Sequence, residues 1–148
     1  MSIKFSHTKE NLLKELIAME TANPVEAITT PADLMPSLTQ YAYEDQEHFI
    51  IIDLNGAHNV IELRVVSIGI ANRCLVHPRE IFKGAIINNA TAVVLAHNHP
   101  SGSLNPSKED DEITERIKKA GKIIGIEVLD HLIIGKKGYY SYLEEGKL

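Results

Sequence analysis

The residues best suited to chemistry in this sequence are His97, His99, Ser107 and Asp110, which lie close together along the chain. They follow the pattern H-x-H, seven residues, Ser, two residues, Asp. Side chains two residues apart on a strand point to the same side, so both imidazoles can face one ion while Asn98 faces away. Two imidazoles and one carboxylate leave a fourth tetrahedral position for water, as in catalytic zinc sites. The pattern therefore predicts one Zn²⁺ per chain, bound by His97, His99 and Asp110.

Helix geometry selects Asp110 among the carboxylates that follow Ser107. Asp110 lies three and seven residues before Ile113 and Ile117, on the apolar stripe of the predicted helix, whereas Glu109 lies on the polar side. A buried carboxylate facing two histidines costs several kcal/mol unless a cation neutralises it. Calcium and magnesium prefer more oxygen ligands, while an iron site with the same ligand set remains an alternative.

The same four residues also have a purely structural interpretation. His97 and His99 can be ordinary polar residues at a strand end. Ser107 and Asp110 can be a capping pair that satisfies free backbone N–H groups at a helix N-terminus. Each alone would favour that interpretation, but the combined spacing and the inward face of Asp110 favour the metal.

Two further pairs of residues carry groups that are capable of chemistry. Asp130 and His131 lie within a buried-strand pattern, where the imidazole either orients a ligand histidine or satisfies its own hydrogen bonds; the structural interpretation is favoured. Cys74 and His77 are three residues apart, but a buried thiol and a helix-capping imidazole are favoured over a catalytic dyad.

The elements that position these residues follow from hydrophobic periodicity. The run TAVVLAH predicts a strand buried on both faces that ends at His97. A Pro/Gly-rich loop then leads to a helix from Ser107 to about Ala120. The run IEVLDHLIIG predicts another buried strand, and Tyr139 to Tyr142 a short last one.

Upstream of this core, FIIIDL and NVIELRVVSIG flank Asn55-Gly56 and predict a β-hairpin. Pro78 opens a helix that runs to about Asn89. Thr8 to Glu20 predicts an amphipathic helix, followed by a linker and a short helical segment; that segment contains Leu34, Leu38 and Tyr41. Helices alternate with strands, so the expected class is α/β or α+β, with a mixed β-sheet flanked by helices.

Composition narrows the classes of protein further. The 148 residues carry a formal charge of −5 and a single cysteine. One cysteine excludes an internal disulfide and favours a reducing compartment, so the cytoplasm is expected. No run approaches the ~18 apolar residues of a membrane span. The acidic balance does not support a nucleic-acid partner, although Lys118, Lys119 and Lys122 leave a local basic patch open; a solvated helix face is favoured.

These motifs resemble the JAMM (MPN/JAB) metalloprotease signature, and more narrowly its bacterial RadC-like branch. The phrases VHPREIF, LAHNHPSG, PSKED and AGKIIGIEVLDHLIIG stand in the order that this family shows. The resemblance covers roughly residues 30 to 148. It implies residues 31–148 as a RadC-like JAB/MPN catalytic domain with one zinc ion, which leaves residues 1–30 as the N-terminal helix and linker expected from periodicity.

The resemblance also implies roles for individual residues. Ser107 would stabilise the developing oxyanion or the activated water, and Glu47 in QEHFIIIDLNG would be the general base. The sequence alone does not separate Glu47 from Glu44 or Glu62. Asn98 stands where eukaryotic deubiquitinase members usually have Ser or Thr, so deubiquitination is not inferred.

Three functions follow as expectations. The first is a zinc-dependent hydrolase of JAMM type that cleaves a peptide or isopeptide bond in a peptide or protein substrate. The alternative is a DNA-repair-associated RadC-like protein whose metal site is structural or vestigial. Full-length RadC-like proteins carry an N-terminal helix-hairpin-helix-like region, and this chain has about thirty residues before the matching part, which disfavours the alternative. A third is a catalytically silent scaffold.

Overall fold

The structure is a computed structural model that describes residues 27–69 and 76–148. The predicted helix Thr8 to Glu20 and Cys74 lie outside the described residues. Short helical turns come first: a 3₁₀ turn Pro31–Leu34, the α-helical turn α1 (Met35–Leu38) and a 3₁₀ turn Thr39–Tyr43. They coincide with the short helical segment expected from the sequence.

A five-stranded mixed sheet forms the centre of the protein, in the order β2-β1-β3-β4-β5. The strands are β1 (Glu47–Leu54), β2 (Val60–Gly69), β3 (Ala92–Asn98), β4 (Glu127–Gly135) and β5 (Gly138–Ser141). Within the described strands, β3 and β4 pair in parallel and the other neighbouring pairs are antiparallel. The predicted α+β class, hairpin and buried strands are confirmed.

Two helices cover one face of the sheet. They are α2 (Pro78–Ile87) and α3 (Lys108–Ile124), and α3 is the crossover between the parallel strands β3 and β4. Their apolar sides pack on Phe49, Ile51, Val93 and Leu95, while the short N-terminal turns cover the other face. No helix within the described residues is long and apolar enough to cross a membrane.

The helix α3 extends past Ala120, where the sequence predicted its end. Gly121 does not break it, because its missing side chain lets the helix approach Phe82 of α2: a Cβ there would stand 3.0 Å from the Phe82 ring and 2.4 Å from the Ile126 carbonyl oxygen. Termination occurs one turn later at Gly125, whose φ of 88° suits glycine.

A β-bulge in β4 decides which side chains face α3. Val93 pairs with Val128, but Val94 pairs with Asp130, so β4 contributes one extra residue, Leu129. The bulge reverses the alternation of the strand and turns His131 toward α3, on the same face as His97. Bulges near functional sites commonly redirect a side chain in this way.

Candidate metal centre

Four side chains converge where β1 begins, β3 ends and α3 begins. Glu47, His97, His99 and Asp110 each offer one ligand atom, and these atoms all lie within 4.8 Å of one another. His97 is fully buried, Asp110 is buried, and Glu47 and His99 are partly exposed. All three predicted metal ligands and the predicted general base therefore lie together.

Asp110 is at the centre of this cluster. Its Oδ1 lies 3.2 Å from His97 Nε2, and its Oδ2 lies 3.1 Å from His99 Nε2. The two Nε2 atoms are 2.9 Å apart, and Glu47 Oε1 is 3.8 Å from His97 Nε2. Two imidazole nitrogens and carboxylate oxygens thus point at one small volume.

The sheet explains why Glu47 and His97 meet. β1 and β3 are antiparallel, and Phe49 pairs directly with His97. Glu47 lies two residues before Phe49, so its side chain is on the same face of the sheet. The rings of Phe49 and His97 are nearly parallel, with their centroids 5.9 Å apart, and this packing holds the imidazole against the core.

Ser107 and Asp110 form a reciprocal capping box at the start of α3. The Asp110 amide donates to Ser107 Oγ at 3.0 Å, and the Ser107 amide donates to Asp110 Oδ2 at 2.8 Å. The capping interpretation is therefore correct, and it does not compete with the metal interpretation. Capping aims the carboxylate at the two histidines, since Asp110 Oδ2 also contacts His99.

The two carboxylates of the cluster, Asp110 and Glu47, have pKa values that are shifted in opposite directions. Burial acts to raise the pKa of Asp110, but its contacts with the His97 and His99 imidazoles outweigh burial and hold that pKa far below its usual range. For Glu47 burial dominates and raises the pKa, with the neighbouring histidines opposing the rise. Asp110 is therefore held ionised, while Glu47 takes up a proton more readily than a free glutamate does.

His99 is held by contacts at both nitrogens of its ring. Its Nδ1 lies 2.7 Å from the Ser103 carbonyl oxygen. A carbonyl oxygen only accepts, so Nδ1 carries a proton, and Nε2 is the atom available to a metal ion. Burial acts to lower the pKa of His99, but the contact with Asp110 outweighs it and raises that pKa.

Asn98 points away from the cluster, as predicted, but its side chain binds the backbone of β1 and of the residue before it. Its side chain is fully buried. Oδ1 accepts from the His48 amide at 2.6 Å, and Nδ2 donates to the Gln46 carbonyl at 3.0 Å. The amide therefore holds the backbone on both sides of Glu47. The sequence suggested no role for it, because the partners are about fifty positions away.

His131 satisfies its hydrogen bonds, as the preferred interpretation expects, and it also makes the contact that the other interpretation requires. His131 is fully buried and its Nε2 lies 2.7 Å from His97 Nδ1, so it contacts a predicted ligand directly. Burial lowers the pKa of His131 well below its usual value, with the nearby His97 acting in the same direction. Its neighbour Asp130 is structural: it accepts from Ser141 Oγ and from the Leu143 amide.

The remaining candidates lie away from the cluster. Glu62 accepts from Asn88 at 2.6 Å, and Glu44 is exposed at the end of the last 3₁₀ turn. His77 occupies the N-cap position of α2, but its side chain makes no capping hydrogen bond. The three lysines of the possible basic patch are exposed on α3, as the favoured solvated-face interpretation predicts.

The fold and the cluster together define an α+β domain with a possible metal site where a buried strand ends and a helix begins. A model of the RadC-like JAB domain family matches residues 28–147. This chain belongs to the RadC-like JAB domain family.

Bacterial relatives support the same assignment. A UPF0758 protein of Rubrobacter xylanophilus is 50% identical over 133 residues, covering 89% of this chain and 57% of the relative. A UPF0758 protein of Symbiobacterium thermophilum is 56% identical over 102 residues, covering 69% and 44%. One from Thermotoga maritima is 45% identical over 109 residues, covering 74% and 49%. The chain spans about half the length of these relatives, whose names state no activity.

Proposed function

We propose that this domain is a zinc-dependent hydrolase that cleaves a peptide or isopeptide bond. The observation that carries the proposal is the convergence of one ligand atom from each of Glu47, His97, His99 and Asp110 within 4.8 Å. A peptide or protein is the proposed substrate, and the cytoplasm the proposed location. The net charge of −5 gives no support to a nucleic-acid partner.

The donor set fits a zinc ion. His99 Nδ1 faces a carbonyl, so its Nε2 is directed into the cluster, and His97 Nε2 is directed there too. Asp110 adds an ionised carboxylate, which completes a set of two nitrogens and one oxygen. When bound, zinc would polarise a substrate carbonyl and lower the pKa of a water ligand toward about 7.

Glu47 is suited to the proton transfers of the reaction. Its carboxylate lies next to His97 without taking part in the Asp110 capping box, and its raised pKa brings it closer to neutrality. The side chain would accept a proton from the attacking water and deliver it to the leaving amine. General acid–base catalysis of this kind contributes about 10²–10⁴-fold in rate.

Ser107 is suited to binding the oxyanion. Its hydroxyl oxygen accepts from the Asp110 amide, so its proton is left to be donated elsewhere. It sits at the N-terminus of α3, where the helix dipole favours negative charge. Loss of one oxyanion donor costs about 10²–10³ in kcat in other hydrolases.

The experiment combines metal analysis with a matched pair of variants. Purified protein should contain about one zinc per chain and cleave members of a peptide library, and a chelator should stop cleavage. Glu47→Gln should keep zinc and lose about 10²–10⁴-fold in turnover. Glu44→Gln, at an exposed glutamate three residues earlier, is the control and should behave as the parent.

Two outcomes would overturn the proposal. Stoichiometric zinc without any cleavage would favour a structural metal, and DNA affinity that falls steeply with salt would then support the repair alternative. Parental turnover in Glu47→Gln would remove the assigned base.

A further inference from the structure

We propose that Thr114 and His131 form a hydrogen-bonded relay that holds His97 in its Nδ1–H tautomer and so keeps the Nε2 lone pair free for the metal. The inference rests on the proposed function in one respect, because the ion is the one proposed above. Thr114 and His131 are positioning residues here, since both act through His97.

The relay begins at the Thr114 hydroxyl, which donates to a backbone carbonyl. Thr114 Oγ1 donates to the Asp110 carbonyl oxygen at 2.6 Å, one turn earlier in α3. The carbonyl has no proton to give, so the single hydroxyl proton is used there. His131 Nδ1 lies 2.5 Å from the same Oγ1. With its proton donated to that carbonyl, Thr114 accepts from His131, and Nδ1 of His131 carries the proton.

The constraint then passes through the His131 ring to His97. His131 is completely buried, which disfavours an imidazolium. A neutral ring protonated at Nδ1 has a bare Nε2, and this atom lies 2.7 Å from His97 Nδ1. His97 therefore donates from Nδ1. Its own bare nitrogen is Nε2, the atom directed at His99 and Asp110.

Aromatic packing keeps the relay aligned. The His131 ring is stacked on Tyr142, with centroids 5.0 Å apart and an interplanar angle of 13°. Phe49 meets His131 edge-on at 5.6 Å and is stacked on His97. Rotation of either imidazole away from its partner is therefore blocked by packing. Breaking the relay by removing a hydroxyl should leave this packing in place.

Without the Thr114 hydroxyl, His131 and His97 could each adopt either tautomer. Without its acceptor, His131 can place the proton on Nε2 and donate to His97 Nδ1. His97 would then carry its proton on Nε2, where it must be expelled before a metal can bind. Removal of such outer-shell partners typically lowers metal affinity about 10–100-fold.

A pair of substitutions separates the relay from simple packing. Thr114→Val keeps the shape and removes the hydroxyl, whereas Thr114→Ser keeps the hydroxyl and removes a methyl group. The relay predicts that Thr114→Val binds Zn²⁺ about 10–100-fold more weakly than the parent. It also predicts that Thr114→Ser stays within about threefold. A packing role predicts the opposite order, because valine fills the buried site better than serine.

Competition against a chromophoric zinc chelator measures these affinities without any substrate. Urea unfolding of each metal-free variant shows whether the fold is retained. Equal zinc affinity in Thr114→Val and the parent, or a greater loss in Thr114→Ser, overturns the relay.

The tautomer itself can be observed in the unsubstituted protein, so the test does not depend on a variant that folds. Long-range ¹H–¹⁵N correlation spectra should show His131 protonated at Nδ1 and bare at Nε2, with and without Zn²⁺. A His131 ring protonated at Nε2 overturns the proposal. Failure of the parent to bind zinc would instead overturn the proposed function, and the metal-free spectrum would still decide the relay.

Discussion

Replacing Asn98 with alanine tests whether the position of Glu47 depends on a side chain in the adjacent strand. The β1–β3 backbone ladder ends at the pair Phe49–His97, and the Asn98 amide continues it by binding the backbone of Gln46 and His48. Alanine removes both hydrogen bonds. Their partners flank the proposed base on either side, so the base loses its anchor.

The expected magnitudes follow from the burial of these groups. A buried polar group left without a partner costs about 1–3 kcal/mol. Gln46 is exposed, so its carbonyl can bind water once the Asn98 amide is removed. The loss of stability is therefore expected mainly from one group, the His48 amide. A misplacement of about 1 Å costs roughly 10²-fold in rate, so kcat should fall about 10–100-fold. Zinc affinity should change little, because His99 keeps its bond to Ser103.

The assay compares turnover, zinc affinity and urea unfolding of Asn98→Ala with those of Asn88→Ala. Asn88 donates to Asp53 and Glu62 near the opposite end of β1, so its loss should lower stability without lowering kcat. The reasoning is refuted if Asn98→Ala loses stability but keeps the parental kcat. It is also refuted if zinc affinity falls as much as turnover, since the amide would then position ligands rather than the base.

Two further predictions concern stability. Asp53 is fully buried, and Arg64 binds it through two hydrogen bonds of 2.7 and 2.8 Å. Arg64→Met would leave the buried carboxylate without its cation, so it should lower the free energy of unfolding by about 3–5 kcal/mol. Zinc content should be unchanged. A loss below about 1 kcal/mol by urea titration would contradict this. Burial raises the pKa of Asp130 above its ordinary value of 3.8, so near this pH the native state binds more protons than the unfolded state. The free energy of unfolding, compared with that of Asp130→Asn, should therefore fall as pH rises above 3.8, by at most about 1.4 kcal/mol per pH unit. Parallel stability curves for the two proteins would show that this carboxyl does not titrate differently on folding.

The sequence alone was sufficient to predict the main elements and the proximity of His97, His99 and Asp110. Strand periodicity predicted the direction of His97, although β3 ends at Asn98 and His99 follows the strand, and helix periodicity turned Asp110 inward. These are local properties, because each depends on residues within one element or on the short loop between two. The RadC-like resemblance singled out Glu47, which the spacing of acidic residues did not distinguish from Glu44 or Glu62.

Only the tertiary structure decided what supports those residues. His131 reaches His97 because a bulge at Leu129 reverses the alternation of β4, and no local signal in IEVLDHLIIG predicts that bulge. Asn98 clamps the backbone around Glu47 from a neighbouring strand. Contacts of this kind depend on strand register and on pairing between distant segments, whereas sequence periodicity reports only which face of its own element a residue occupies.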